Sequence, residues 1–167
     1  EQSVHKALPI WSHMANENWC MIGYHSVSVL ADAVAKGLPL DKEEVLKAMV
    51  SSSTIPYLDG TGEYMEKGYV ALDHNGSAAS LTLEYAYDDW TIYHTALLAG
   101  NRSVADTYKK RAANYTNVFD TNMGYARPRY ADGRWKENFN LLNTHGEGFI
   151  EGNALNYSFY VPQDVDN

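Results

Sequence analysis

Apolar and polar positions recur with helical spacing through much of the chain. Between about Asn18 and Lys36, Met21, Tyr24, Val27, Leu30, Ala31 and Val34 fall at three- and four-residue steps. That stripe predicts a helix, stopped by Gly37 and Pro39. Asp41 with Glu44 three residues on has the form of a capping box and predicts a second helix of roughly three turns. The Gly-Leu-Pro-Leu link would fold the two into an antiparallel pair. Leu83, Tyr87, Trp90, Tyr93 or His94, and Leu97 predict a third helix from about Ser80 to Ala99, with Gly100-Asn101 as its stop. Ser103 with Asp106 predicts the start of a fourth, running to about Asn117. From Ser51 to Gly76 the periodicity disappears, and Pro56, Gly60, Gly62 and Gly68 punctuate a long connection of the kind that is often functional. Asp132-Gly133, between 125–131 and 134–139, predicts a small hairpin or irregular turn. The sum is an all-α fold of paired long and short helices. Such pairs, repeated around a ring, close a helical toroid, though no sequence repeat accompanies them.

The last stretch breaks this rhythm. Gly148 and Gly152 bracket Glu151, Asn153 follows, and Ala154, Leu155, Tyr157, Phe159 and Tyr160 form an apolar body ended by Pro162. One reading is a loop that delivers Glu151 and Asn153 to the mouth of a pocket, with a helix behind them. The other is an ordinary capped helix with a solvated glutamate in its first turn.

Composition narrows the function. The 167 residues carry a formal net charge of -8 and 45% hydrophobic residues, enough for one domain with a substantial core. The acidic balance argues against nucleic acid as a partner; no basic cluster offsets it, since Lys109-Lys110-Arg111 is three residues on a helix surface. Thirteen Tyr and four Trp suit a core, and they also suit sugars, whose C–H faces stack on aromatic rings. Cys20 stands alone in an apolar run and reads as a buried, inert thiol, without a disulfide framework. No apolar run is long enough to span a membrane, and no signal-peptide pattern opens the chain.

Motifs for other chemistries are missing. No H-E-x-x-H or paired helical histidines point to zinc, and Asp120-Thr-Asn-Met-Gly124 departs from a calcium loop at Tyr125 and Ala131, leaving a hydrogen-bonded turn. No Walker loop, dinucleotide fingerprint or nucleophile elbow appears. Carboxylates remain. Glu84 and Asp88 share a helix face with Asp89 beside them, so that either partners neutralise them or they line a polar site. Glu17 lies just ahead of the first helix. Asp164 and Asp166, near the chain end, read as a solvated pair.

Four segments in order carry a resemblance. Asn16-Glu-Asn-Trp-Cys-Met-Ile-Gly-Tyr-His25, Leu81-Thr-Leu-Glu-Tyr-Ala-Tyr-Asp-Asp-Trp90, Tyr125-Ala-Arg-Pro-Arg129 with Asp132-Gly-Arg-Trp135, and Glu151-Gly-Asn-Ala with Val161-Pro-Gln-Asp164 are similar to motifs of the family 92 glycoside hydrolases, the calcium-dependent exo-α-mannosidases. The resemblance implies that 1–167 is part of an (α/α)6 toroid catalytic domain, a fragment without the family's N-terminal β-sandwich or its later catalytic motifs. It implies removal of terminal α-linked mannose, α-1,2 in linkage, with inversion. Glu151 takes the place of the catalytic general acid, while the general-base Asp has no counterpart here. Asn153, Glu17, Trp19, Asp88 and Asp89 are the candidate substrate contacts, Asn153 touching the sugar or a residue that does. Calcium, which in the family holds the mannose O2 and O3, is the implied cofactor, its ligands unassigned. Leu155, Gln163 and Asn18 depart from the family's usual Trp, His and Thr.

Inverting hydrolysis needs one protonated carboxyl and a second carboxylate about 6.5–9.5 Å away to activate water. A helix N-terminus would favour the ionised form of Glu151, so burial among Phe149 and Tyr157, or a second carboxylate nearby, is expected to offset it. The implied partners are mannose-containing glycans and the rest of a parent chain, with self-association of the exposed fragment. The implied location is periplasmic or secreted. A non-catalytic sugar-binding or scaffold remnant is the competing reading. A plain helical interaction module, which would bind no sugar, is the third.

Overall fold

A computed structural model describes residues 26–144 and 146–166. Within them lie helices α1 (Val27–Ala35), α2 (Lys42–Ser52), α3 (Thr61–Lys67), α4 (Ala78–Leu98), α5 (Arg102–Arg111) and the short α6 (Ala154–Tyr157). A 3₁₀ segment, Ala112–Val118, continues α5, and two-residue strands β1 (Phe119–Asp120) and β2 (Tyr125–Ala126) pair antiparallel, Phe119 opposite Ala126.

Local chemistry sets most of the ends. Asp41 caps α2, its carboxylate accepting from the N–H groups of Glu43 and Glu44. After α4, Gly100 takes a left-handed φ of 73°, and its N–H reaches Leu97 O while that of Asn101 reaches Ala96 O. This is a Schellman close, which a residue with a side chain would strain. The α1 end repeats the pattern through Gly37 and Leu38.

Three expectations change. The connection 51–76 contains α3, which shows no amphipathic stripe because it is short and buries only Thr61 and Tyr64. The cap of α5 is Asn101, which accepts from Val104 N–H, so the helix starts ahead of Ser103 and tightens to 3₁₀ after Arg111. The strand pair spans the Asp120–Gly124 turn; around Asp132-Gly133 there is a tight turn with a single bridge, Arg129 to Trp135. The part of the first predicted helix before Ser26 lies outside the described residues.

Helix α4 organises the rest. Leu81, Tyr85, Ile92 and Ala96 enter one core with α1, α2 and α5, while Ala79 and Leu83 enter a second with Val118, Ala126, Phe149 and Ala154. A helix buried on most of its circumference belongs at the centre of a domain. Asp89, 0% exposed, lies in the first core. Its Oδ2 accepts from Tyr64 Oη at 2.7 Å and from Arg111 Nε at 3.0 Å.

Candidate active site

The loop before α6 is pinned to α4. Helix α4 begins without a side-chain cap, and Gly148 O instead accepts from the N–H groups of Ala79 at 2.9 Å and Ser80 at 3.2 Å. Those are donors that a helix start leaves unpaired. Gly148 has φ +86°, and a Cβ there would lie 2.6 Å from Pro128 Cβ, so glycine is needed on both counts. Further on, Tyr157 Oη lies 3.2 Å from Glu84 Oε1 and 3.0 Å from Ile150 O. The Tyr157 ring closes under Gly152, where an added Cβ would lie 3.0 Å from Cε2.

Between these anchors Glu151 itself takes the left-handed conformation, φ 55°. For a residue with a long side chain this is strained, and such strain concentrates at functional sites. Glu151 is exposed at the rim of a cavity of about 460 Å³, whose walls include Glu84, Asp88, Tyr87, Tyr157 and Tyr160. The expected burial of Glu151 among Phe149 and Tyr157 is therefore corrected: Phe149 turns into the second core, and the carboxylate stands outside it. Tyr160 packs edge-on against both Tyr87 and Tyr157, forming an aromatic wall. Burial, with Glu84 nearby, pushes the Tyr157 and Tyr160 hydroxyls up to about 12, so both remain hydrogen-bond donors at neutral pH.

The other sequence candidates divide. Asp88, buried, lines the cavity with Glu84 one helical turn before it. Asp89, the next residue, is turned by the helical rotation into the first core, where Arg111 and Tyr64 hold it. Asn153 caps α6, its side chain accepting from Asn156 N–H, and it is Asn156 that lines the cavity. Glu17 and Trp19 lie outside the described residues. Tyr157 and Tyr160 were legible only as apolar body, because the Glu84 that accepts from the Tyr157 hydroxyl and the Tyr87 that the Tyr160 ring packs on lie on a helix some seventy residues earlier. Glu84 carried a usable signal in its i, i+4 relation to Asp88.

Comparison with known proteins decides the family. The model of the glycosyl hydrolase family 92 catalytic domain matches residues 1–167. The chain belongs to glycosyl hydrolase family 92. No curated protein matches it. Among solved structures it is similar to a family 92 α-mannosidase of Bacteroides thetaiotaomicron, at 35% identity and TM-score 0.80, over 84% of this chain and 19% of that one. The complex described as that α-mannosidase with mannoimidazole gives 34% identity and TM-score 0.81, over 84% and 20%. A family 92 inverting mannosidase of Bacteroides thetaiotaomicron VPI-5482 gives 33% identity and TM-score 0.75, over 81% and 19%. The chain thus spans about a fifth of the length of these family 92 structures. Its helices are part of the α/α toroid that those enzymes share.

Proposed function

We propose that this chain is part of a glycoside hydrolase that releases terminal α-linked mannose, with α-1,2 linkages as substrate, and inverts the anomeric carbon. Glu151 is the general acid. The observation that carries this reading is the strained Glu151 at the rim of a cavity walled by two further carboxylates and by tyrosine rings. The names of the similar structures, an α-mannosidase bound to mannoimidazole and an inverting mannosidase, support the substrate and the stereochemistry.

In the proposed reaction the Glu151 carboxyl gives its proton to the glycosidic oxygen as the bond to the anomeric carbon breaks. A second carboxylate, an Asp beyond this chain, takes a proton from water, whose oxygen bonds to the opposite face of that carbon. Because Glu151 is exposed here, the desolvation that favours its protonated form must come from bound sugar and from the remainder of the enzyme. Asp88, Glu84 and the Tyr160 hydroxyl, all on the cavity wall, offer hydrogen-bond partners to mannose hydroxyls. Calcium is proposed as the enzyme's cofactor. Among the described residues no three His, Cys, Asp or Glu side chains gather into a metal site, so the ligands are not assigned to this stretch. The parent enzyme is proposed to be periplasmic or secreted, which cell fractionation would check.

The test is Glu151→Gln in the full enzyme. Turnover of an α-1,2-mannobioside should fall by roughly a hundred- to ten-thousand-fold, the worth of general acid catalysis, while an activated aryl mannoside that leaves without protonation should suffer far less. Near-normal turnover of the disaccharide would remove Glu151 from the role.

A further inference from the structure

We infer that Tyr157 is the positioning residue of Glu151, tying the backbone just before the acid to Glu84 on the central helix. The inference rests on the reading of Glu151 as the acid. Tyr157 Oη has one proton and two acceptors within reach, Glu84 Oε1 at 3.2 Å and Ile150 O at 3.0 Å. Ile150 O belongs to the peptide that leads into Glu151, so the tether acts on the backbone that sets the direction of the acid. The second attachment is Gly148 O on the first turn of α4. The five residues 148–152 are thus held at one end by helix N–H groups and in the middle by a phenol, and Glu151 follows directly on the second hold in a conformation that it would not adopt unaided.

The ring is placed as well as the hydroxyl. It packs against Phe149, which is buried in the second core, with ring centroids 5.5 Å apart and planes tilted by 36°, and it closes under Gly152. Any part-buried phenol calls for an acceptor, so the distinction lies in the identity of the partners. This one joins the acid loop to a carboxylate that itself lines the cavity. Displacing a catalytic group by about 1 Å can cost a hundred-fold in rate.

The experiment is Tyr157→Phe in the full-length enzyme, assayed on two substrates. One is an α-mannobioside, whose leaving group needs a proton; the other is 2,4-dinitrophenyl α-mannoside, whose leaving group does not. We expect kcat/KM to fall roughly ten- to a hundred-fold on the first and less than about three-fold on the second. The ratio of the two is independent of how much enzyme is folded, so partial unfolding cannot imitate the result. Equal losses on both substrates, or no loss on either, would overturn the positioning role. Glu151→Gln, run in parallel, separates the two ideas. If it discriminates between the substrates and Tyr157→Phe does not, only the tether is lost. If Glu151→Gln fails to discriminate, the acid assignment goes and the positioning role goes with it.

Discussion

Arg111 Nε donates to Asp89 Oδ2 at 3.0 Å where α5 crosses α4, and the carboxylate it meets has no exposed surface. Tyr64 donates to the same oxygen, and Arg111 also reaches Ser53 O at 3.1 Å. The cluster thus fastens α2, α3, α4 and α5 at one point. Removing a single partner from a buried ion pair leaves the other charge stranded. Arg111→Met should therefore cost about 3 kcal/mol or more in denaturant unfolding, whereas Arg111→Met with Asp89→Leu should recover part of that loss. A single variant within about 1 kcal/mol of wild type would show that the pair is not holding the helices.

The backbone at Gly148 should not tolerate a side chain. Gly148→Ala forces a left-handed φ on a residue with Cβ and drives that carbon into the Pro128 ring. A loss of about 2 kcal/mol or more is expected, with reduced disaccharide turnover in the proposed parent enzyme, because the same peptide caps α4 and carries the loop. An unchanged melting temperature would mean that the loop relaxes without cost.

Acid should release the turn between the two strands. Asp120 is buried, which alone would raise its pKa, but hydrogen bonds from Arg127 and from the N–H groups of Asn122 and Met123, with the charge of Arg127, outweigh this and hold it below the ordinary carboxylate range. A depressed folded value means that Asp120 contributes its stabilisation in full above the unfolded pKa of about 3.9, and loses it as pH falls through the lower folded one. The stability gap between wild type and Asp120→Asn should be largest near neutrality and close below about pH 4. A gap that does not change with pH would dissociate the ion pair from the stability.

Expressed alone, these 167 residues should self-associate. Phe159 is 84% and Val165 80% exposed, beside an apolar groove that also takes in Phe119 and Val161. Apolar surface gathered in this way calls for a partner. Sedimentation velocity should show species larger than one chain, growing with concentration; a clean monomer at high concentration would contradict this.

How much of this was legible in the chain depends on where the deciding partner lies. Asp41 and Gly37 act on backbone groups a few residues away, so the start of α2 and the end of α1 could be read directly. The extent of α4 was nearly right for the same reason, since its apolar positions repeat along its own length. Helix α3 escaped because Tyr64 has no periodic companions; its ring and hydroxyl are satisfied by Tyr85 and Asp89, both distant in sequence. The separation of Asp88 from Asp89 was equally hidden. Two adjacent aspartates look alike until α5 brings Arg111 to one of them. For Glu151, the flanking glycines pointed to an unusual backbone, and Gly148 does take positive φ, but the glutamate takes it as well, held there by contacts that no local pattern announces.

Helix α4 leaves little of itself open, and most of what remains, at Glu84, Tyr87, Trp90, His94, Leu97 and Leu98, runs along the cavity and the groove beside it, Tyr93 being the exception. Its other sides answer to two cores at once, where a change of one methylene is felt. The positions at which this helix is free to vary are therefore largely those that a ligand would meet. Variation that survives folding is steered toward that cavity and groove, so descendants of such a chain can change what the cavity receives while the frame beneath it stays still.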